Sequence, residues 1–403
     1  MSVEHVSASA SNDWDRSGLP GWTYHSEEMF DLEMNGLFLT HWQIAGHVSD
    51  VPKPGNFITF DLANERAVII RGQDGVLRAF HNLCRHRGSR VVTTERGTCK
   101  NALVCPFHGW VYNLDGTLRG PAQPKSYPPL DKNQFGLKPV EMEVWMGFIF
   151  VRFKSGPQGS VAQFLKPYEA EFAMHRTESV VPAGGATQST LSVNWKSVRD
   201  VDNEGYHVAM AHPALHDLYG YTYRDEFYAP GLRVSKGTYL PDGGKLWSVK
   251  NYLKFSKGRE ALPPERRNLW AYYGAFPNNV FILTPESVQF YQELPVDVGH
   301  AVVRGIVYHY PDESREEKLA RYLTYRIDRE TFAEDMQLSI WSNESMKSSG
   351  FDGFYLSDHE RGVRLQHDEL RELFPVMNLK RPPSGELAEL NQTLLKNKSQ
   401  EET

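Results

Sequence analysis

Cysteine is nearly missing from this chain. Only Cys84, Cys99 and Cys105 occur among its 403 residues, a count too low, and odd, for a disulfide framework. Long apolar runs are missing too: none approaches the ~20 residues needed to span a bilayer, and "GFIFVRF" is only strand length. The N-terminus, "MSVEHVSASASNDWDRSG", has no apolar core and so reads as lacking a secretory signal. Basic blocks are absent. Lys and Arg are scattered, the formal net charge is −6 and the pI about 6.2, which argues against nucleic acid as a partner. No internal repeat and no Gly-rich phosphate loop are found, so the chain carries no nucleotide-binding fingerprint of its own. These absences leave a cytoplasmic globular protein, not a membrane one, long enough for two or three domains.

What is present divides by texture. Residues 26–40, "SEEMFDLEMNGLFLT", carry apolar side chains at helical spacing behind a Ser with Glu close by, a helix start. From Trp42 the pattern becomes short strands with turn signals, and Asp74-Gly75 and Asp115-Gly116 read as hairpin turns. This small antiparallel β domain is expected to close with "VEMEVWMGFIFVRF", with the Gly/Ser-bearing "KSGPQGS" after it. Beyond it, "LSVNWKSVRDVDNEGYHVAMAHP" reads as mostly helical. "NVFILTPESVQFYQELPV" and "HAVVRGIVYHYP" read as paired strands, and "REEKLARYLTYRIDRETFAEDMQLSIWSNESM" as a long amphipathic helix. The tail, about 390–403, reads as polar and frayed.

All three cysteines fall in "CRHRGSRVVTTERGTCKNALVCPFHGW", residues 84–110. Cys84 and His86 form C-x-H, and Cys105 and His108 form C-x-x-H; Gly88 follows the first pair and Gly109 the second. Two such loops held side by side can offer two thiolates and two imidazoles to one inorganic centre. Zinc accepts two Cys and two His, but zinc motifs usually group their thiols as C-x-x-C. One Cys and one His per loop suits a two-iron centre with thiolates on one iron and imidazoles on the other.

"CRHRGSR" and "CPFHGW" resemble the two loops of the Rieske [2Fe-2S] domain of Rieske non-haem iron oxygenases, and the resemblance extends over about residues 20–385. It implies that Cys84 and Cys105 bind one iron of a [2Fe-2S] cluster and His86 and His108 the other. Cys99 has no counterpart and reads as a small buried hydrophobe. The implied fold is α+β: an antiparallel β Rieske domain at 41–152, and a helix-grip catalytic domain with an antiparallel sheet formed by 1–40 and 153–403.

The second half offers "NEGYHVAMAHP". His207 and His212 stand five apart, about 140° around an ideal helix, so a regular helix would not aim both at one metal. Pro213 disfavours helical backbone at His212, which would let that imidazole swing back. In a chain with 15 His such a pair is weak evidence by itself. The family resemblance supplies the rest: two His and a distant carboxylate hold a mononuclear Fe(II), a facial triad with positions open for O₂. The carboxylate expected is Asp335 in "FAEDMQLSIW", with Glu334 as the runner-up and Asp328 and Glu330 further behind. Glu204, three before His207, matches the family's carboxylate that bridges to a cluster His of the neighbouring subunit. Its being Glu rather than Asp resembles the members that demethylate carnitine, stachydrine and glycine betaine.

The resemblance thus implies a terminal oxygenase, a homotrimer, using O₂ and electrons from NAD(P)H through a separate flavin and iron–sulfur reductase. Its small-molecule substrate is expected between the helix of His207 and the strands around 270–310. Aromatic residues make up 12% of the chain, and "LYGYTYRDEFY", "LWAYYGAF" and "QFYQ" could cage a quaternary ammonium group by cation–π attraction or line a pocket for an arene. N-demethylation of a betaine-like compound is the expectation and hydroxylation of an aromatic acid the alternative. A pure electron carrier would have no use for the second half.

Overall fold

The computed structural model describes residues 14–401. The chain forms two compact units: Leu39–Phe164, and the remainder on either side of it. The larger unit opens with α1 (Glu27–Glu33), started by Ser26, whose hydroxyl accepts the Met29 N–H at 3.2 Å. A π-helical turn, Met34–Phe38, completes the predicted helical segment.

The smaller unit is built of strands. β1 (Gln43–His47), β2 (Asn56–Leu62), β3 (Glu65–Arg71), β4 (Leu77–His81) and β5 (Arg96–Thr98) are followed by three short ones, β6 (Leu103–Val104), β7 (Val111–Tyr112) and β8 (Leu118–Gly120). β9 (Glu141–Trp145) and β10 (Phe148–Arg152) form the last hairpin, and a single turn, α2 (Val161–Phe164), ends the unit. They pair antiparallel as β1-β10-β9, β4-β3-β2-β5 and β6-β7-β8. The two predicted turns join β3 to β4 and β7 to β8, where Gly75 and Gly116 take positive φ of 78° and 86°. The core between the second and third sheets includes Phe57, Val68, Ile70, Phe80, Leu103, Tyr112 and Leu118, and Cys84 and Cys105 belong to it.

The larger unit continues with α3 (Glu169–Met174), β11 (Val181–Pro182), β12 (Thr187–Leu191), α4 (Trp195–Asp202), α5 (Val208–Ala211) and α6 (Pro213–Leu218). Then come β13 (Arg224–Ala229), β14 (Leu232–Thr238), α7 (Trp247–Phe255), β15 (Leu269–Ala275), β16 (Asn279–Leu283), β17 (Ser287–Asp297) and β18 (His300–His309). The eight strands make one antiparallel sheet in the order β11-β18-β17-β16-β15-β14-β13, with β12 also on β18. The architecture is α+β.

Helix α8 (Arg315–Ser345) has a capping box, with Ser314 and Glu317 each accepting the other's backbone N–H. Its Ala320, Leu323 and Ile327 share a core with Trp270 and Ile282 of the sheet and with Leu215, Leu218, Val249 and Tyr252 of α6 and α7. Helices α9 (Arg361–Leu373) and α10 (Leu387–Glu401) finish the chain. No helix among the described residues is long and apolar enough to cross a membrane.

One expectation is refined and one changes. The segment 191–213 is mostly helical but not continuous: it starts as strand, α4 ends at Asp202, and helix resumes only at Val208. The tail is helical to Glu401 rather than frayed, because Leu387 and Asn391 are buried and Lys398 pairs with Glu372 of α9; residues 402–403 lie outside the described part.

Candidate metal centres

The four donors of the smaller unit sit on two loops built alike. Cys84 lies just past β4; its carbonyl accepts the Gly88 N–H at 3.0 Å and its own N–H donates to Ser89 O at 2.7 Å. Cys105 lies between β6 and β7; its carbonyl accepts the Gly109 N–H at 3.0 Å and its N–H donates to Trp110 O at 2.8 Å. Gly88 and Gly109 have φ of 77° and 65°, a left-handed conformation that closes each loop and that a side chain would strain. Both cysteines are free of any disulfide and buried, while His86 is half-buried and His108 exposed, with ring centroids 4.7 Å apart.

Three aromatic residues hold this arrangement. His86 stacks on Trp110 with a 4° angle between planes, and Tyr127 Oη lies 3.4 Å from His86 Nε2. The Tyr112 hydroxyl lies 3.3 Å from Cys84 Sγ and accepts the Arg85 N–H at 2.9 Å. Burial pushes the Cys84 thiol pKa up, and the Tyr112 contact opposes that. His86 Nδ1 is buried without any hydrogen-bond partner. Two buried thiols that do not bond, beside an imidazole nitrogen left orphaned, are the donor set a [2Fe-2S] cluster with two Cys and two His takes. The residues fit that group.

In the larger unit, the break in the helical run creates the second donor set. Asn203 has left helical geometry, and Gly205 follows because the Tyr223 ring lies against it: a Cβ there would stand 2.0 Å from Tyr223 Cζ. His207 then precedes α5, and His212, with ψ of 81°, separates α5 from α6. The imidazoles converge, with their Nε2 atoms 2.9 Å apart. Asp335, from α8, brings Oδ1 to 2.8 Å from His212 Nε2 and 3.3 Å from His207 Nε2 without a well-formed hydrogen bond to either. Among the described residues these three make a set whose donor atoms all lie within 4.8 Å of one another.

The other ring nitrogens are occupied by carboxylates. His207 Nδ1 donates to Glu204 Oε1 at 2.5 Å, and His212 Nδ1 to Glu334 Oε2 at 2.8 Å. Glu204 also accepts the backbone N–H groups of Tyr206 and His207. Each carboxylate thus fixes a tautomer that turns a free Nε2 lone pair toward the gap. Burial disfavours a charged His207, yet Asp335 and Glu204 raise its pKa to about 10; burial likewise opposes the charge on Asp335, yet the two histidines hold its pKa below the usual value. That field favours a cation at the convergence point. Two neutral imidazoles and one carboxylate on a face fit Fe(II) with positions left open.

The structure therefore brings His207, His212, Glu204 and Asp335 together, and it puts Glu334 behind His212. Asp328 lies elsewhere on α8, against Gln289, and Glu330 pairs with Arg326. The work of Glu334 was hidden in the sequence, where it reads only as a competitor of Asp335. The one signal was adjacency, since neighbours on a helix point about 100° apart.

A cavity of about 370 Å³ opens on this set. Leu215, Ile282, Phe332 and Met336 give it apolar walls; Tyr219, Tyr223, Tyr272, Phe290 and Tyr291 give it aromatic ones. Other aromatics of the same sequence stretches do not reach it: Trp270 is in the core and Tyr221 is 80% exposed.

Comparison with known proteins agrees with this geometry. Residues 170–375 match the family described as ring hydroxylating alpha subunit (catalytic domain), and residues 41–135 match the Rieske [2Fe-2S] domain. The glycine betaine monooxygenase oxygenase subunit of Pseudomonas aeruginosa (strain UCBPP-PA14) is 34% identical over 49% of this chain, and the chain spans only 45% of that relative's length. The carnitine monooxygenase oxygenase subunit of Escherichia coli (strain K12) is 26% identical over 88% of this chain and 93% of its own. The anthranilate 1,2-dioxygenase large subunit of Acinetobacter baylyi is 31% identical over 46% of this chain and 40% of its own. Among solved structures, a quaternary ammonium Rieske monooxygenase superposes with a TM-score of 0.74 at 23% identity, covering 88% of this chain and 95% of the other.

Proposed function

The chain belongs to the ring-hydroxylating alpha-subunit family and carries a Rieske [2Fe-2S] domain, and from that premise we propose that it is the terminal oxygenase of a multicomponent system that N-demethylates a small betaine-like compound. The observation that carries the reading is the cavity on His207, His212 and Asp335, walled by aromatic rings and carboxylates. The names of the glycine betaine and carnitine relatives support it.

In this reading Cys84, Cys105, His86 and His108 hold the cluster, and His207, His212 and Asp335 hold Fe(II). Bound there, the cluster supplies single electrons and the ferrous ion supplies O₂ activation. The protein's own part is orientation and exclusion. Glu204 and Glu334 aim the two imidazoles, and Leu215, Ile282, Phe332 and Met336 keep water from the substrate. A carboxylate accepts from several directions, so Glu204 can serve His207 and still receive a cluster-histidine N–H of a neighbouring copy in a homotrimer. Electrons come from NAD(P)H through a flavin and iron–sulfur reductase. The functional domains are taken as 41–152 for the cluster, and 1–40 with 153–403 for catalysis, in a cytoplasmic enzyme.

Hydroxylation of an N-methyl carbon gives a hydroxymethyl amine, which collapses to formaldehyde and the amine with one methyl fewer. The test is a panel of betaines, carnitine and aromatic acids with a surrogate reductase, NADH and O₂. Formaldehyde in step with NADH use for a betaine supports the reading. The similarity to the anthranilate 1,2-dioxygenase subunit favours a second reading, hydroxylation of an aromatic acid. Coupled O₂ uptake with aromatic acids alone, and no formaldehyde, would put it in place of the first.

A further inference from the structure

Five carboxylates line the cavity: Asp202, Glu204, Glu293, Asp328 and Asp335. Four have cationic or imidazole partners. Asp202 and Glu293 share Arg199, Nη1 standing 2.5 Å from one and 3.4 Å from the other. Glu204 and Asp335 stand against His207 and His212. Asp328 is the exception: among the described residues no Lys, Arg or His pairs with it. Its one hydrogen bond is from Gln289 Nε2 to Oδ2 at 2.9 Å.

We infer that Asp328 is the counter-charge that recognises the ammonium group of the substrate, an inference that rests on the demethylase reading. Asp328 and Asp335 are seven apart on α8, two turns and about 10 Å along one face, and both line the same cavity. A cationic nitrogen between them would have one methyl toward the metal-binding end and its charge toward Asp328. Two rings complete the cradle. Tyr219 and Tyr272 line the cavity close enough to Asp328 for its charge to act on their hydroxyls, and aromatic walls beside a carboxylate suit a cation.

The electrostatics agree. Burial raises the Asp328 pKa to about 7; the Gln289 bond opposes this, and Glu286, of the same sign, adds to it. A bound cation relieves both effects. As a mere strut between β17 and α8, Asp328 could be Asn, which would still accept from Gln289. A carboxyl placed in a cavity with no cationic partner among the described residues is explained by a cation that arrives with the substrate.

The test compares choline with 3,3-dimethylbutan-1-ol, its neutral carbon isostere, by calorimetric titration of the metal-loaded protein. The wild type is expected to prefer choline about tenfold or more. Asp328→Asn keeps the Gln289 bond, the cluster colour and the iron content but should level the two affinities, with the alcohol unchanged; Asp328→Glu should keep the preference. An undiminished choline preference in Asp328→Asn overturns the role of Asp328. If formaldehyde still forms from N-methyl substrates in that case, the demethylase reading stands without it. A wild type that shows no cation preference and turns over only aromatic acids overturns both.

Discussion

The two donor sets reach the same end by opposite means. In the small unit each loop closes on itself: a cysteine carbonyl takes a glycine N–H four residues on, and the residue beyond takes the cysteine N–H. Donor positions are set by local backbone, and the thiols are anchored in the core. In the large unit nothing local suffices. His207 and His212 flank a four-residue helix, Asp335 arrives from α8, and the rings are aimed by the side chains of Glu204 and Glu334. A site fixed by backbone loses its metal when a donor is removed. A site fixed by side chains can also be weakened by degrees, through the carboxylates behind it.

The largest effects should be at the donors, and they should separate cleanly. Intact protein should contain about three irons per chain, two in the cluster and one in the triad, with a Rieske-type EPR signal on reduction. One zinc and no labile sulfide would refute the assignment of the small unit. Cys84→Ser or His108→Ala should abolish the red-brown colour and leave the mononuclear iron. Asp335→Ala should do the reverse, because two imidazoles alone leave the charge of Fe(II) uncompensated. Full iron content in Asp335→Ala would move the third donor to Glu334.

Next come the carboxylates behind the rings. Glu204→Gln should keep the cluster, still load iron at saturating Fe(II), and lose most turnover, since a neutral amide is a weaker acceptor for imidazole N–H groups. Mixed with His108→Ala chains it should regain part of its activity, as one interface would then join a good cluster to a good Glu204. No rescue in mixed assemblies would mean that electrons pass within one chain. Glu334→Gln should be milder: Fe(II) affinity should fall about 10- to 100-fold, with the cluster signal unchanged. Equal iron affinity in wild type and variant would reduce Glu334 to a surface contact.

The same contrast governs how much could be read from the sequence. Cys84, His86, Cys105 and His108 are legible because their geometry is made within a few residues, glycines included. The paired strands Asn279–Leu283, Ser287–Asp297 and His300–His309, and the long helix with its Ser314–Glu317 box, are legible through period and capping. The break between α4 and α5 was not, because the ring that lies on Gly205 comes from Tyr223, in another part of the chain. Nor could adjacency decide between Glu334 and Asp335. Only the placement of α8 shows Asp335 near both Nε2 atoms and Glu334 on His212 Nδ1. The α10 helix was hidden for the same reason: its polar sequence is held by burial of Leu387 and Asn391 and by a pairing with α9.

The smallest expected effect tests whether the thiols of one window are distinct. Cys99 lies in the same stretch as Cys84 and Cys105 and packs on the edge of the same core, but its place is set differently. Its N–H donates to Gly55 O at 2.8 Å, tying it to the start of β2 rather than to a glycine-closed loop. No histidine accompanies it in a C-x-H or C-x-x-H pair, and burial pushes its thiol pKa up, away from the thiolate a metal or an oxidant would need. Serine at 99 would replace a half-buried, poorly ionised thiol by a hydroxyl of similar size, a change of about 1 kcal/mol or less in stability. Cys99→Ser should therefore keep the colour, the EPR signal, the iron count and the turnover of the wild type. Any bleaching of the visible spectrum would mean that the third thiol is coupled to the cluster after all, and that backbone closure around Cys84 and Cys105 is not enough to define the site.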